Sequence, residues 1–402
     1  MASSSARWGC DDINEGTLHN GVGDARVNGL DQFMQTDAET EACVASLEKS
    51  RHAGQEQLQQ KRARESGDGT EPPPPPPEAP LSAVFENLQN FTLRNAKAGA
   101  APELKLYDAM ASPDRQLVKA GYFVAEGSLI IQQILALGPS YQLASLLGTE
   151  AQLRTLAPNL AAADALCTRA AAEEASTPPP CVVFAGSRTD VSNATGFKHS
   201  ALSVLAIVRR PTSVHRPLGE WLPTLRAASG TAVPTLLVLD GVVKPENCGA
   251  LFRTALAFGV CGVLLSPGCA DPLYRKSIRS SMGAVFKLPF VHAKRWPAEL
   301  DELSAHGYRL LALHLQGSVA HADAIPLGAA ASGTGIAPFA IMVGAEYEGV
   351  SDDAAQRAHQ RVRIPMADVM AGSLDSLNVN VAAAIVLERA FAANRQAAGS
   401  SE

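Results

Sequence analysis

The stretch Leu236-Leu-Val-Leu-Asp-Gly-Val-Val-Lys-Pro-Glu-Asn-Cys-Gly-Ala-Leu-Phe-Arg-Thr-Ala255 decides how this chain is read. Its opening run of large aliphatic residues has no alternating polar face, the mark of a strand buried on both sides in a parallel sheet. Asp240 and Gly241 end that strand in a loop, and the chain then re-forms as a helix. Asn247 is placed to cap the helix, and Arg253 follows about two turns in. A helix N-terminus favours anions, so the cap and the arginine point to an anionic ligand at this end. A surface helix with a solvated arginine fits the same letters.

Working outward, strand and helix alternate from Thr235 nearly to the C-terminus. Strands are predicted at Leu236–Asp240, Gly262–Ser266, Phe286–His292, Tyr308–Leu315, Phe339–Gly344 and Arg361–Met366. Helical spacing between most of them implies an α/β domain over 231–396 whose sheet is largely parallel and covered on both faces. Open sheets of this kind place ligands beyond the carboxyl ends of their strands. Two further segments fall there. Ile341-Met-Val-Gly-Ala-Glu-Tyr-Glu-Gly349 ends a buried strand in a loop, and Gly344 and Gly349 let backbone amides come close to a ligand. Glu346 is set to hold a ligand hydroxyl, to fix Arg253, or to stand as a loop-tip charge. Ile364-Pro-Met366 leads to Ser376-Leu-Asn-Val379, where the last helix opens and runs to about Asn394. Ser376 or Asn378 suits its cap, and Pro365 marks a sheet edge or a sharp turn.

Upstream, residues 104–211 read as a smaller α/β domain. Strands are predicted at Tyr122–Glu126, Cys181–Phe184 and Ala201–Val208, with a helix over Leu129–Leu137 capped by Ser128. Residues 212–230, broken by prolines, read as a linker or surface chain. Residues 1–80 lack sustained apolar periodicity and end near the run Pro72–Pro77, a stiff spacer without amide donors. They read as a disordered leader.

The length of 402 residues matches two domains and an extra segment. The net charge of −6, from 34 basic and 40 acidic residues, argues at first against a nucleic-acid partner. Its placement removes that argument. Residues 1–80 hold 7 Lys+Arg and 14 Asp+Glu, which leaves 27 basic and 26 acidic residues in the body. Seven cysteines without a C-x-x-C pair read as free thiols in a reducing compartment. No apolar run approaches the ~20 residues of a membrane span, so the chain reads as soluble and intracellular. Met1–Arg7 hints at an organelle presequence, whereas Asp11, Asp12 and Glu15 oppose it; cytoplasm, mitochondrion and chloroplast all stay open. No G-x-G-x-x-G follows a predicted strand, which sets aside a dinucleotide-dependent oxidoreductase.

Taken together, the three C-terminal segments resemble the SpoU-type (TrmH-like) members of the knotted SPOUT methyltransferases, which methylate ribose 2′-hydroxyls in tRNA or rRNA. Asn247, Gly249, Arg253, Thr254 and Ala255 match the first motif; Gly344, Glu346 and Gly349 the second; Pro365, Met366 and Ser376–Val379 the third. Ser281-Met-Gly-Ala284 resembles the small-residue stretch between the first two. Residues 104–211 look like the family's L30e-like RNA substrate-binding domain. There are departures: Ala345 where the family usually has Asn, Asn380 where it has Ser, Lys244 where an acid is common, and an apparent insertion at 367–370.

The resemblance implies a trefoil knot, a homodimer built on the last helix (Val381, Ile385, Val386, Leu387, Phe391), and S-adenosylmethionine as cofactor. Gly344, Glu346, Gly349, Ile364, Met366, Ser376 and Leu377 would bind that cofactor. Arg253, Asn247, Glu346, Ser376 and Asn378 would form the catalytic set, with Arg253 binding phosphate and stabilising the developing alkoxide. No metal, membrane or DNA partner is implied. Arg275, Lys276, Arg279, Lys287, Lys198, Arg209 and Arg210 are the cations set to meet RNA phosphates. The competing reading is a non-catalytic RNA-binding relative that kept the fold.

Overall fold

A computed structural model describes residues 80–96, 103–108, 113–174, 180–195, 204–228, 234–315, 319–325, 338–346, 348–367 and 376–399. Nearly all of the expected leader, Lys198, Tyr347 and all but Ala367 of the expected insertion lie outside the described residues.

The first sheet contains β1 (Phe91–Asn95), β2 (Tyr122–Glu126), β3 (Leu143–Gly148), β4 (Cys181–Ala185) and β5 (Leu205–Arg209), in the order β1-β4-β3-β5-β2. β1, β4 and β3 are parallel, while β5 runs antiparallel to both β3 and β2. Its helices are α1 (Leu81–Phe85), α2 (Lys105–Asp108), α3 (Asp114–Lys119), α4 (Ser128–Ala136), α5 (Glu150–Glu174) and α6 (Arg188–Thr195). β1 lies ahead of residue 104, where patterning placed the start of this domain. The amide of Asn90, just before β1, donates to buried Asp164 of α5 at 2.9 Å. Ser128 is not the cap of α4. Gly127 occupies that position at φ +95°, a conformation that excludes most side chains, so Ser128 is already helical.

The second sheet has β6 (Leu236–Leu239), β7 (Gly262–Leu265), β8 (Phe290–His292), β9 (Arg309–Leu313), β10 (Val319–Ala320), β11 (Phe339–Val343) and β12 (Gln360–Arg363). All pairings are parallel, in the order β10-β12-β9-β11-β6-β7-β8. Every carboxyl end therefore lies along one margin. β8 starts later than predicted because Ala284–Phe286 forms a 3-10 turn before it. β12 stops at Arg363, ahead of Pro365, which has no N–H to donate. β12 is flanked by β10 and β9, so the proline marks the exit from an inner strand and not a sheet edge.

Alternate residues of the inner strands enter two cores. Leu237, Leu239, Ile341 and Val343 face α8 (Pro245–Ala257) and α13 (Val379–Gly399); this core is continuous with that of the first sheet. Leu236, Val238, Ala340 and Met342 face the opposite way. There they meet α7 (Leu218–Ala228), α10 (Ala298–Ala305) and α12 (Asp352–Arg357), while α11 (His321–Ala324) follows β10. Part of the stretch expected as linker or surface chain is thus core structure: Trp221, Leu222 and Leu225 of α7 are buried against the sheet. Burying side chains of that size contributes roughly 1.5–3 kcal/mol each.

The two sheets meet through α9 (Arg275–Ser281) and the turn after it. Phe286 stacks on Phe123 at 5.9 Å and meets Tyr141 edge-on at 5.3 Å. Arg210, leaving β5, makes a two-pronged pair with Asp271 at 2.9 and 2.7 Å. Among the described residues, no helix is long and apolar enough to cross a membrane.

Candidate active site

Asp240 closes β6 and is buried; its Oδ2 accepts the Ser351 N–H at 2.8 Å and hydroxyl at 2.6 Å. That carboxylate ties the β11 loop to the end of β6. The chain then turns at Gly241 (φ +66°) and enters α8 at Pro245, with Lys244 at the cap position. Asn247 is therefore inside the first turn and does not cap α8, contrary to the sequence reading. Proline suits the first helical position, where its fixed φ is already helical and an N–H would have no partner within the helix, so α8 begins at Pro245, ahead of Asn247. The Asn247 side chain instead reaches across to the last helix and accepts from Asn378 Nδ2 at 3.4 Å.

Asn378 is the cap of α13. Its Oδ1 accepts the Asn380 N–H at 3.0 Å, and its carbonyl accepts the Ala382 N–H at 3.0 Å. Asn380, one of the departures from the family pattern, accepts from the Thr254 hydroxyl at 2.7 Å. Two neutral side-chain bonds thus join the third motif to the first. Arg253 lies on α8 beside Thr254, exposed, with no ion pair or hydrogen bond to its side chain among the described residues.

The second motif closes on itself. Ala345 and Gly349 exchange two backbone hydrogen bonds, both 2.9 Å, and Gly349 sits at φ +71°. A Cβ on Gly344 would fall 1.8 Å from the Gly349 carbonyl carbon, so only glycine fits there. Glu346 projects from this loop onto the ammonium group of Lys244. It does not contact Arg253, one of the partners expected of it. Ile364 is half-buried, Met366 is exposed, Ser376 is exposed and Leu377 is half-buried. Residues 368–375, which connect the last two of these to β12, lie outside the described residues.

Gly249 answers to packing. A Cβ there would sit 2.1 Å from the Ser277 carbonyl oxygen, because α8 and α9 touch at this point. Cys248 beside it donates to the Ala270 carbonyl at 3.4 Å, and burial pushes its thiol well up, which removes it as a nucleophile at neutral pH.

Most of the cations expected at RNA phosphates are already engaged. Arg210 pairs with Asp271, Arg275 with Asp114 at 2.9 Å, Arg279 with Glu126 at 3.0 Å and Lys276 with Glu246 at 3.0 Å. Arg209 lies over the Tyr122 ring at 5.7 Å. Lys287 is exposed, with no ion pair among the described residues. The Lys244–Glu346 contact, the Asp240 clamp and the Thr254–Asn380 bond escaped sequence reading. Each joins residues remote in sequence, which periodicity cannot signal.

This arrangement has known relatives. The profile of the SpoU rRNA Methylase family matches residues 234–388. A mycobacterial protein described as an uncharacterized tRNA/rRNA methyltransferase, from Mycobacterium bovis, is 35% identical over 274 residues, covering 68% of this chain and 81% of its own. The chain belongs to the SpoU methylase family. Another relative, the 23S rRNA (guanosine(2553)-2′-O)-methyltransferase RlmP of Bacillus subtilis, is 34% identical over 38% of this chain and 56% of its own. The fold matches the crystal structure of an AdoMet-bound rRNA methyltransferase from Sinorhizobium meliloti. That match has a TM-score of 0.55 and 24% identity, over 75% of this chain and 97% of that one.

Proposed function

We propose that this SpoU-family chain transfers a methyl group from S-adenosylmethionine to a ribose 2′-hydroxyl of tRNA or rRNA. The observation that carries the reading is Arg253. It stands exposed on α8 and unpaired among the described residues, next to a seam where Asn247–Asn378 and Thr254–Asn380 hold the first and third motifs together.

The residues at the strand ends suit the cofactor. A side chain at Gly349 would point into open space, whereas the space at Gly344 is filled by the loop's own backbone; Ile364, Met366 and Leu377 offer apolar groups that are exposed or half-buried. Gly344, Glu346, Gly349, Ile364, Met366, Ser376 and Leu377 would hold it. When bound, S-adenosylmethionine supplies a methyl group already activated toward a nucleophile. The chain's task is to align the ribose oxygen and help it lose its proton. A guanidinium is a poor base, so Arg253 acts by charge: it binds the adjacent phosphate and stabilises the developing alkoxide. Asn247 and Asn378 fix the helix ends that carry it, Ser376 orients the sugar, and Glu346 is held by Lys244. The reading includes a trefoil knot and a homodimer. Val381 and Leu256, exposed by 46% and 36%, support the dimer as uncovered apolar surface on α13 and α8, whereas Val386 and Leu387 are already buried within the chain. Residues 104–211 would serve as the RNA substrate-binding domain.

The test uses the full chain, S-adenosylmethionine with a labelled methyl, and total tRNA and rRNA, followed by nuclease digestion. A 2′-O-methylnucleoside is expected, and its loss in Arg253→Ala. Label on a base would overturn the reaction. No calorimetric binding of S-adenosylmethionine would favour the non-catalytic RNA-binding alternative.

A further inference from the structure

A cavity of about 390 Å3 opens at the amino end of β8, away from the strand ends that carry the three motifs. That volume falls within the ~300–1,000 Å3 of small-ligand sites. Its floor is aromatic and comes from three places: Tyr141 of the first domain, Trp221 of α7, and Phe286 of the turn before β8. Its rim is polar and exposed, with Ser213, Arg216 and Lys287. No carboxylate lines it. Neither Arg216 nor Lys287 makes an ion pair among the described residues, in contrast to the cations of α9. Burial pushes the Tyr141 hydroxyl up to about 12, against the pull of Arg210, so it remains a donor at neutral pH.

A second cavity, of about 140 Å3, shares Arg216 and follows the outer side of β8 to Lys294, which is exposed and likewise makes no ion pair among the described residues. Two carboxylates also line it, but both are engaged: Glu299 accepts the Lys294 and Arg295 N–H groups, and Glu302 pairs with Arg295 at 3.2 Å. Lys287, Arg216 and Lys294 thus form a line along the free margin of the sheet, from its amino toward its carboxyl end. A recess with aromatic walls set at angles to one another and cations at its rim suits an unstacked base between its flanking phosphates, the form in which single-stranded RNA is held.

We propose that the cavity before β8 is a nucleotide subsite for single-stranded RNA: one base seats on the Tyr141–Trp221–Phe286 floor, Arg216 and Lys287 hold the flanking phosphates, and the strand continues past Lys294. The subsite deepens the RNA reading above and rests on it for the identity of the polymer. It also accounts for a near-neutral body that binds RNA through a local cationic line. The domains are docked around the cavity by the Arg210–Asp271 pair and the Phe123–Phe286 stack, so the subsite is formed before RNA arrives.

The test measures binding of a fluorescein-labelled 12-nucleotide oligouridylate to the full chain by anisotropy. Arg216→Glu and Lys287→Glu are each expected to weaken binding about fivefold or more, and to flatten the salt dependence by about 0.7 per lost phosphate contact. Ser213→Trp, which fills the cavity, is expected to weaken binding with the salt slope unchanged. A 4-thiouridine version should cross-link within residues 213–225 or 286–290. No binding by the wild-type chain, equal binding by the Arg216→Glu/Lys287→Glu protein, or cross-links confined elsewhere would each overturn the subsite. S-adenosylmethionine calorimetry run on the same proteins separates this outcome from failure of the methyltransferase reading, since neither rim residue is among those assigned to the cofactor.

Discussion

Two arginines in two regions show how this chain divides its positive charge. At the seam between the domains, the Arg210 side chain is 8% exposed and bonds both oxygens of Asp271, itself 11% exposed. On α8, Arg253 stands in solvent with no partner among the described residues. A guanidinium taken out of water needs a carboxylate in place, because an unpaired buried charge costs several kcal/mol. One left exposed incurs no such penalty and keeps its donors for a ligand. The seam therefore uses arginine to fix geometry, and the candidate site holds arginine in reserve.

The contrast breaks most sharply at Arg253. Arg253→Ala should lower the methyl-transfer rate by about 10²–10³-fold, the usual loss when one donor to a developing oxyanion is removed. Its thermal unfolding and its affinity for S-adenosylmethionine should stay as in the wild type. Loss of folding instead would mean that this arginine, too, is structural.

Asp271 gives the opposite pattern. Burial by itself would raise its carboxyl, but hydrogen bonds from His292 and Arg210, and their charges, outweigh burial and hold it well below the usual carboxylate range. A group depressed in the folded state stabilises the fold above its unfolded pKa of ~3.9, and that contribution fades as pH falls below it. Asp271→Asn should destabilise the chain at pH 7 by about 3–5 kcal/mol, since it strands Arg210 in the seam. The gap between variant and wild type should narrow in denaturant melts as pH falls from about 4 toward 2. A constant gap would show that packing, and not charge, holds the seam.

The two regions differ in how much of them the amino-acid pattern signals. The buried strands Leu236–Leu239 and Phe339–Val343 announce themselves as unbroken apolar runs, and with them comes the margin where the motif loops lie. β1 does not, because only Phe91 of its five residues is buried, and Thr92, Arg94 and Asn95 break its apolar run. α7 was hidden by Pro223, a helix breaker that here lies inside the helix, while Trp221, Leu222 and Leu225 carried the informative spacing. The division of cations was the least legible. Arg275, Arg279 and Lys287 look alike as letters, and only the placement of Asp114 and Glu126 shows which are engaged. Asn378 was recognisable as a cap candidate from its place before the last apolar helix, but its reach to Asn247 depends on how α13 crosses α8.

That double duty gives a smaller effect to measure. Asn378→Ala removes the cap of α13 and the cross-link to α8, and should cost about 1 kcal/mol in unfolding free energy. Asn378→Asp keeps the capping oxygen and loses the donor to Asn247, so it should restore most of the stability while methyl transfer stays low. If Asn378→Asp is as active as the wild type, the bond to Asn247 has no part in positioning the site, and Asn378 is a cap alone.

The smallest effect on stability is expected at Lys244, where the family pattern favours an acid. Its side chain is 50% exposed and that of Glu346 is 29% exposed, so water screens their pairing. Lys244→Met should change unfolding free energy by no more than about 0.5 kcal/mol, within the range of exposed ion pairs. The turn that carries Glu346 is already closed by the Ala345–Gly349 bonds and clamped by Asp240 through Ser351, so the loop keeps its path without the lysine. What the lysine adds is the direction of one carboxylate: with Lys244 gone, Glu346 can turn toward Arg253. Lys244→Met should then lower the methyl-transfer rate with stability intact, and the Lys244→Met/Glu346→Gln protein should be no worse than Glu346→Gln alone. Additive losses in the double variant would mean that the two side chains act independently, and that the contact between them is incidental to the site.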